Sequence, residues 1–336
     1  MIIGLGLVFA AVLLGPVLIR PIERNIEVFF LFAGAFASAV SGQWGKELLH
    51  AAVTEPIALT LAVLVFGVVA RLGRPILDRG VTRLTNIASA RWIYFGLIVV
   101  LGLLSSVITA VIASLVLVEA IAMLKMDRRS EIAAVVLACF AIGLGAALTP
   151  MGEPLGTIAI AALKVDFWYL VRLLGPMVVA GILIVGVISL WLPAIHGQSL
   201  HADRHNDSWS EVALRAGKVY LFVAGLVGIS WGLRPLVDRY ISEMPQWALF
   251  WINSISAVVD NATLTAAEIG PSLSHAQQRR VLMGLLISGG MLIPGNIPNI
   301  VAASRLGISS REWARVGLVT GFPLMLLCFG VLYWMA

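Results

Sequence analysis

The chain has 336 residues, 60% of them hydrophobic and only 12% charged, with a net charge of +5 and a mean hydropathy of +0.98. An ordinary soluble domain carries about 25% charge, so a water-soluble enzyme or nucleic-acid-binding module is excluded and an all-α polytopic membrane protein is expected. The two cysteines, Cys139 and Cys328, sit inside apolar runs and point to neither a disulfide framework nor a metal cluster.

Runs long enough to cross a roughly 30 Å hydrocarbon core begin with Ile2 to Ile19 and Ile26 to Ser41. The first lacks a basic n-region and a small-residue cleavage site, so it reads as a span, and residues 1–54 form an N-terminal transmembrane scaffold hairpin. Glu55 to Ala70 follows, with Phe167 to Leu192, Val212 to Trp231 and Trp313 to Trp334 further along. After the third run, Arg71, Arg74, Arg79, Arg83 and Arg91 face a single Asp78. This cluster belongs in the cytoplasm by the positive-inside rule, part of it lying along anionic lipid.

The chain then repeats itself. "RLGRPILDRGV" from Arg71 returns as "SWGLRPLVDRYI" from Ser230, and "SSVITAVIAS" returns as "NSISAVVDN", aligning Thr109–Ser114 with Ser256–Asn261. "LTPMGEPLG" returns as "LIPGNIPN", aligning Pro150 with Pro294, Pro154 with Pro298 and, further on, Arg172 with Arg315. Three matches in the same order mark a duplication. Repeat 1 covers 55–193 and repeat 2 covers 211–336, joined by a polar cytoplasmic linker, 194–210, whose His196, His201 and His205 read as solvated.

Each repeat holds a span, a basic linker, an apolar region with a polar centre (92–126 and 246–274), a span broken by Pro and Gly (131–163 and 279–306) and a final span. The polar-centred regions are two crossings or one re-entrant hairpin. Charge selects the hairpin, because Arg71–Arg91 and the turn Lys125–Glu131 are both basic and belong on one side. Three full crossings per repeat then invert the second copy. The expected fold is about eight transmembrane helices plus two re-entrant hairpins, in two inverted-topology repeats with broken helices. Sixteen of the 23 Lys and Arg fall on the cytoplasmic side of this arrangement.

Inverted repeats with broken spans are the architecture of alternating-access transporters, with the site near the midplane. Non-helical backbone persists at that depth only where protein, water or an ion satisfies it. "TPMGEPLG" (Thr149–Gly156) and "PGNIPN" (Pro294–Asn299) are such breaks, each with two prolines four residues apart. Beside them lie three acids. Asp260 is expected at the second hairpin tip, Glu153 in the first break and Glu119 deep in the first hairpin, where an intramembrane carboxylate is a functional candidate by default. Glu268 either shares the cavity of Asp260 or reaches the outer surface beside Gly270 and Pro271. Arg305 reads as a snorkelling arginine, with a gate or counter-ion role as the alternative. Glu27 and Glu55 lie near span ends and read as interfacial.

The tip "VVDNATLTAA", the break "GNIPN" and its counterpart "TPMGEP" resemble the ion transporter superfamily, which includes NhaD-type sodium/proton antiporters, ArsB-type arsenite exporters and divalent anion/sodium symporters. The nearest resemblance is to its branch labelled putative cation transporters. The resemblance implies that hairpin tips and unwound loops hold ion and substrate. Asp260, Asn261 and Thr263 then form the second tip, and Asn296 and Asn299 the second loop. Ser114 and Thr149 stand at the first tip and loop, with Ser256 and Thr109 beside the tips. The first tip, Ala113-Ser114-Leu115, lacks the Asn-Thr pattern of sodium-coupled carboxylate carriers. Relatives of this kind are commonly homodimers.

Asp260 with the oxygens of Asn261 and Thr263 suits a sodium-type cation, and a proton competes for the same carboxylate, which is sufficient for antiport. The expectation is therefore a sodium/proton antiporter of the cell (inner) membrane. It needs no cofactor beyond Na+ and H+ as transported or coupling ions, and its partners are lipid and a small inorganic ion or anion. The alternative is a sodium- or proton-coupled carrier of a carboxylate or an oxyanion such as arsenite, held at helix N-termini. No nucleophile-base pair, HExxH or phosphate-binding motif points to an enzyme.

Overall fold

The computed structural model describes residues 2–19, 21–22, 25–57, 60–61, 64–65, 68, 90–124, 126–192, 209–240, 245–258, 261–270 and 273–334. Asp260, the basic stretch from Arg71 to Arg83, Lys125, most of the span after Ile57 and nearly all of the linker 194–210 lie outside the described residues.

Every described element is helical: α1 (Ile2–Leu18), α2 (Ile26–Ser41), helical residues 46–57, α3 (Ala90–Ile108), α4 (Ala110–Met123), α5 (Arg128–Ala146), α6 (Pro154–Leu163), α7 (Tyr169–Ser189) and α8 (Trp209–Tyr240). Then come α9 (Gln246–Ile252), a 3-10 turn (Asn253–Ala257), α10 (Asn261–Glu268), α11 (His275–Gly289), a second 3-10 turn (Ile293–Gly295), α12 (Ile297–Leu306) and α13 (Ser310–Trp334).

Local chemistry sets the helix ends. The Asp127 carboxylate accepts from Ser130 N at 3.1 Å to start α5, and Ser274 with Gln277 forms a capping box that starts α11. Each such cap stabilises its helix by about 1 kcal/mol. Gly42 and Gly307 end α2 and α12 in the left-handed conformation, at φ 73° and 59°, where a missing Cβ removes the steric cost.

Among the described residues, five helices contain stretches long and apolar enough to cross a membrane: Arg91–Ile108, Arg128–Ala146, Tyr169–Ser189, Ala216–Pro235 and Ser310–Trp334. Their outward faces stay apolar. On α13 alone, Val319, Phe322, Leu326, Leu327, Tyr333 and Trp334 are exposed, a surface that water would not tolerate in a single soluble chain.

Packing centres on α5, which is buried on all sides and touches α3, α4, α7, α11, α12 and α13. Small residues let these neighbours close in: a Cβ on Gly145 would overlap the Gly102 carbonyl. A second tight seam joins α2 to α8, where Gly34 faces Gly225 and Gly228 backbone to backbone. Along it, Glu27 pairs with Lys218 at 3.0 Å, Phe30 stacks on Phe222 at 4.8 Å, and Ser38 Oγ donates to Gly228 O at 2.8 Å. The contacts advance in step on both helices, so α2 and α8 run parallel. Residues 46–57 flank α8 in the opposite sense, with Tyr220 Oη donating to Val53 O at 3.0 Å and Leu48 against Val227.

The helices also exchange partners across the chain. The first arm of each polar-centred region packs on the first half of the broken helix that follows it, α3 on α5 and α9 on α11. The second arms cross over: α4 packs on α12, and α10 packs on α6.

Two expectations are corrected. Arg234 to Arg239 is not a linker, because α8 runs on through it to Tyr240. Glu27, in the first turn of α2, is 8% exposed and pairs with Lys218. Arg305 does not snorkel. Its side chain is 7% exposed and its Nη2 donates to Glu119 Oε1 at 2.5 Å.

Candidate functional site

The site is built where two helices break. Residues 147–153 separate α5 from α6. Gly152 permits the tight turn, since a Cβ there would overlap the Ala146 carbonyl. Pro154 opens α6, where its missing N–H costs nothing. Glu153 stands at the N-cap in extended conformation and is 6% exposed, without capping the helix through its side chain.

The turn between α3 and α4 is fastened to this break. Ala110 N donates to Gly152 O at 2.9 Å, and Thr149 Oγ1 donates to Ser106 O. Thr109 adopts φ 74°, a strained conformation for a β-branched residue, and its hydroxyl accepts from Ile112 N at 3.3 Å. Ser114 Oγ is spent on Val111 O at 2.8 Å, so it offers its lone pairs rather than its proton to any ligand.

The second break, residues 290–296, is satisfied differently. Asn299 Nδ2 donates to both Gly289 O and Leu292 O at 2.8 Å, and Trp313 Nε1 donates to Gly290 O at 3.2 Å. Two of these bonds take up the Gly289 and Gly290 carbonyls that the interrupted helix would leave unpaired, and the third adds to the Gly295 N–H bond at Leu292 O. Asn296 Oδ1 accepts from Ile297 N at 2.8 Å to cap α12. The break is seated on α5 of the first half: Asn296 Nδ2 lies where a Cβ on Gly143 would be, and Cys139 Sγ contacts Pro298 O at 3.5 Å.

Asn261 heads α10 and lies against Gly289 so closely that a Cβ there would overlap its amide. Thr265 Oγ1 donates to Asn261 O at 2.8 Å. The Asn261 side chain itself makes no hydrogen bond although both amide atoms are buried, and Asn296 Nδ2 and Asn299 Oδ1 are likewise buried without partners. Asn261 and Asn299 thus converge on Gly289, Asn296 stands at the same break, and α10 rests on α6, which begins next to Glu153.

Two predicted acids lie elsewhere. Glu119 is nine residues into α4, bound to Arg305. The stripe Val111, Leu115, Glu119 on α4 meets Ile297, Val301, Arg305 on α12 in the same order, so these helices run parallel away from the breaks. Glu268 ends α10 with both carboxyl oxygens buried and unbonded, within reach of the Asn253 amide. Asp260 lies outside the described residues, as do the side chains of Ser256 and Thr263.

Sequence reasoning missed Asn253, Ser288 and Trp313. Asn253 Nδ2 donates to Val281 O at 3.2 Å, and Ser288 Oγ donates to Asn253 O at 2.6 Å. The signal for Asn253 was present: a lone amide directly after the apolar run Trp247 to Ile252.

Helices that interrupt one another inside a bundle of apolar spans, with amides gathered at the interruptions, define an all-helical membrane protein with a buried polar centre. The chain belongs to the family described as "Protein of unknown function (DUF1646)", whose profile matches residues 2–335. No curated protein matches it.

Proposed function

We propose that the protein is a secondary active transporter of the cell (inner) membrane that exchanges sodium or another small cation for protons by alternating access. The observation that carries this reading is the group of buried amide atoms without protein partners at the second break: both on Asn261, Asn296 Nδ2 and Asn299 Oδ1. Each buried polar group left unsatisfied costs about 1–3 kcal/mol. A fold keeps several together where a bound polar species completes them.

Amide oxygens are ligands for a hard cation, and Asp260 adjoins Asn261 in the chain to supply a carboxylate. Arg305 is committed to Glu119, so acid outweighs base around the breaks and a cation is favoured over an anion. A proton replacing the cation on a carboxylate keeps the buried charge low in both states.

The proposed architecture is two inverted repeats, each with three crossings and a re-entrant hairpin. It is supported by the reciprocal packing of second arms and broken helices, and by the parallel courses of α2 with α8 and α4 with α12. Contacts between helix ends fit it too. Arg128 joins Glu312 at 3.2 Å between two turns assigned to the cytoplasm, and Tyr169 Oη donates to Gln278 at 2.5 Å between two turns assigned outside.

One observation favours the second reading, a sodium- or proton-coupled carrier of a carboxylate or oxyanion. The Nδ2 donors of Asn261 and Asn296 are unused beside the N-termini of α10 and α12, which attract anions.

Proteoliposomes carrying an internal pH dye separate the two. Addition of sodium, lithium or potassium should change internal pH in wild type and not in Asp260→Asn. A wild type silent to all three cations, but taking up carboxylate or oxyanion on a sodium gradient, overturns the antiport reading in favour of the carrier.

A further inference from the structure

Glu268 occupies the last position of α10, about 10 Å along the helix from Asn261 at roughly 1.5 Å per residue. Neither of its oxygens has a hydrogen bond, and no described residue forms an ion pair with it. The side chain that reaches it is Asn253, which is 0% exposed and therefore wholly withdrawn from water. Asn253 is itself held in place: one N–H of its Nδ2 is donated to Val281 O at 3.2 Å, and its backbone carbonyl accepts from Ser288 Oγ at 2.6 Å. Its Oδ1 is left buried with no donor.

The charged groups on elements packed against α10 lie in other relationships. On α8, Lys218 is bound to Glu27, and Arg234 stands near the far end. On α11, Arg279 Nε donates to Leu173 O at 3.1 Å, beside Arg280 and His275 in the first two turns. Glu153 and Lys164 flank α6 at its two ends. Among the described residues, Glu268 thus has a neutral amide beside it and no cation paired with it. What such a buried carboxyl lacks is one proton or one cation.

Its position adds a direction. Val281, Ser288 and Gly289 lie along α11, and Asn253 is bonded to the first two while Asn261 and Asn299 meet the third. A file of polar groups therefore leads from the broken-helix centre toward the start of α11, with Glu268 branching from it at Asn253.

We propose that Glu268 is the acid that carries the proton of the exchange, with the Asn253 amide as its polar neighbour. This inference rests on the antiport reading and names the proton site within it, apart from the cation site at Asn261 and Asn299. In the proposed step the Glu268 proton leaves to water while one monovalent cation enters the neighbouring centre. The carboxylate charge that appears is balanced by the cation that arrives, and return of the proton expels it.

Two measurements on the purified full chain test this. Infrared spectra at neutral pH should show the C=O stretch of a buried, protonated carboxylic acid in wild type; Glu268→Gln should lose it, and Asn253→Ala should shift it to higher frequency by removing its hydrogen-bonding neighbour. In proteoliposomes, Glu268→Gln should lose sodium-driven proton flux while sodium-for-sodium exchange, followed with radioactive sodium, falls far less. Glu268→Asp should restore proton flux with a displaced pH profile. A Glu268→Gln variant with wild-type proton flux, or an acid band unchanged in it, overturns the proposal. Wild type that moves no cation at all sinks the antiport reading instead, and the infrared band still decides whether Glu268 holds a proton. If Glu268→Gln does not fold, the band shift in Asn253→Ala decides the same point, and its absence overturns the assignment.

Discussion

Arg305→Met isolates the energetics of the buried Glu119–Arg305 ion pair, which joins the two halves of the chain. The Glu119 and Arg305 side chains are 14% and 7% exposed and 2.5 Å apart. Removing one partner of such a pair costs about 3–5 kcal/mol, mostly as the penalty of a stranded buried charge. The residual exposure of Glu119 gives water some access, which places the loss near about 3 kcal/mol, more than a hundredfold in the unfolding equilibrium. Replacing both residues by apolar ones, Glu119→Leu with Arg305→Met, should recover most of that loss, because the stripe already contains Val111, Leu115, Ile297 and Val301. Denaturant unfolding of the purified proteins in detergent micelles, arranged as a double-mutant cycle, gives the coupling directly. Equal losses below about 1 kcal/mol in both single variants and in the double would refute the reasoning. The α4–α12 contact would then be held by its apolar stripe alone.

Three other outcomes follow from separate features. Gly225→Leu should abolish recovery of monodisperse protein, since any side chain there meets the backbone of α2, whereas Gly217→Ala, facing open space, should leave the elution profile unchanged. Asn299→Leu removes the donors to Gly289 O and Leu292 O; Leu292 O keeps the Gly295 N–H, so stranding the one buried acceptor Gly289 O, at about 1–3 kcal/mol, should lower the melting temperature and eliminate any thermal stabilisation by sodium. The hydrogen bond from Ser130 holds the Asp127 carboxyl below its ordinary range. Its contribution to stability is therefore present above the unfolded-state value and lost as pH falls through the lower folded one. Asp127→Ala should cost about 1 kcal/mol at neutral pH, and acid unfolding curves of variant and wild type should start to converge only once pH falls below the ordinary aspartate range.

Some of this structure was readable in the residues and some was not, for physical reasons. The breaks were legible because two prolines four apart beside glycine act locally, as at Pro150 and Pro154 and at Pro294 and Pro298, whereas the single prolines Pro176, Pro235 and Pro323 are carried inside helices. The start of α11 was equally local, written as Ser274 and Gln277 three apart. Which helix meets which was not local. Apolar periodicity says that a face is buried without saying against what, so the crossing of α4 onto α12 had no signature in either segment. Arg305 was misread for that reason. A lone arginine near a helix end snorkels unless a partner waits, and its partner is 186 residues away. The same limit hid the site's internal bonding, because whether Asn299 bridges carbonyls or holds a ligand depends on where Gly289 and Leu292 place their oxygens. Asn261 was found from its neighbours in sequence, and its closeness to Gly289 emerged only with the fold.

The distance between Glu119 and Arg305 along the chain has a temporal side. Translation adds about 5–20 residues per second, so roughly 10–40 s pass between the synthesis of the acid and that of the base. During that interval α4 has neither its counter-charge nor the helix it lies against. The nascent first half must therefore wait in the bilayer with Glu119 neutral or lent to a temporary partner, and it completes its packing only when α12 is delivered. Assembly is consequently a single late event for both halves rather than two successive ones, and a chain truncated before α12 should be handed to quality control instead of persisting as a half-sized domain.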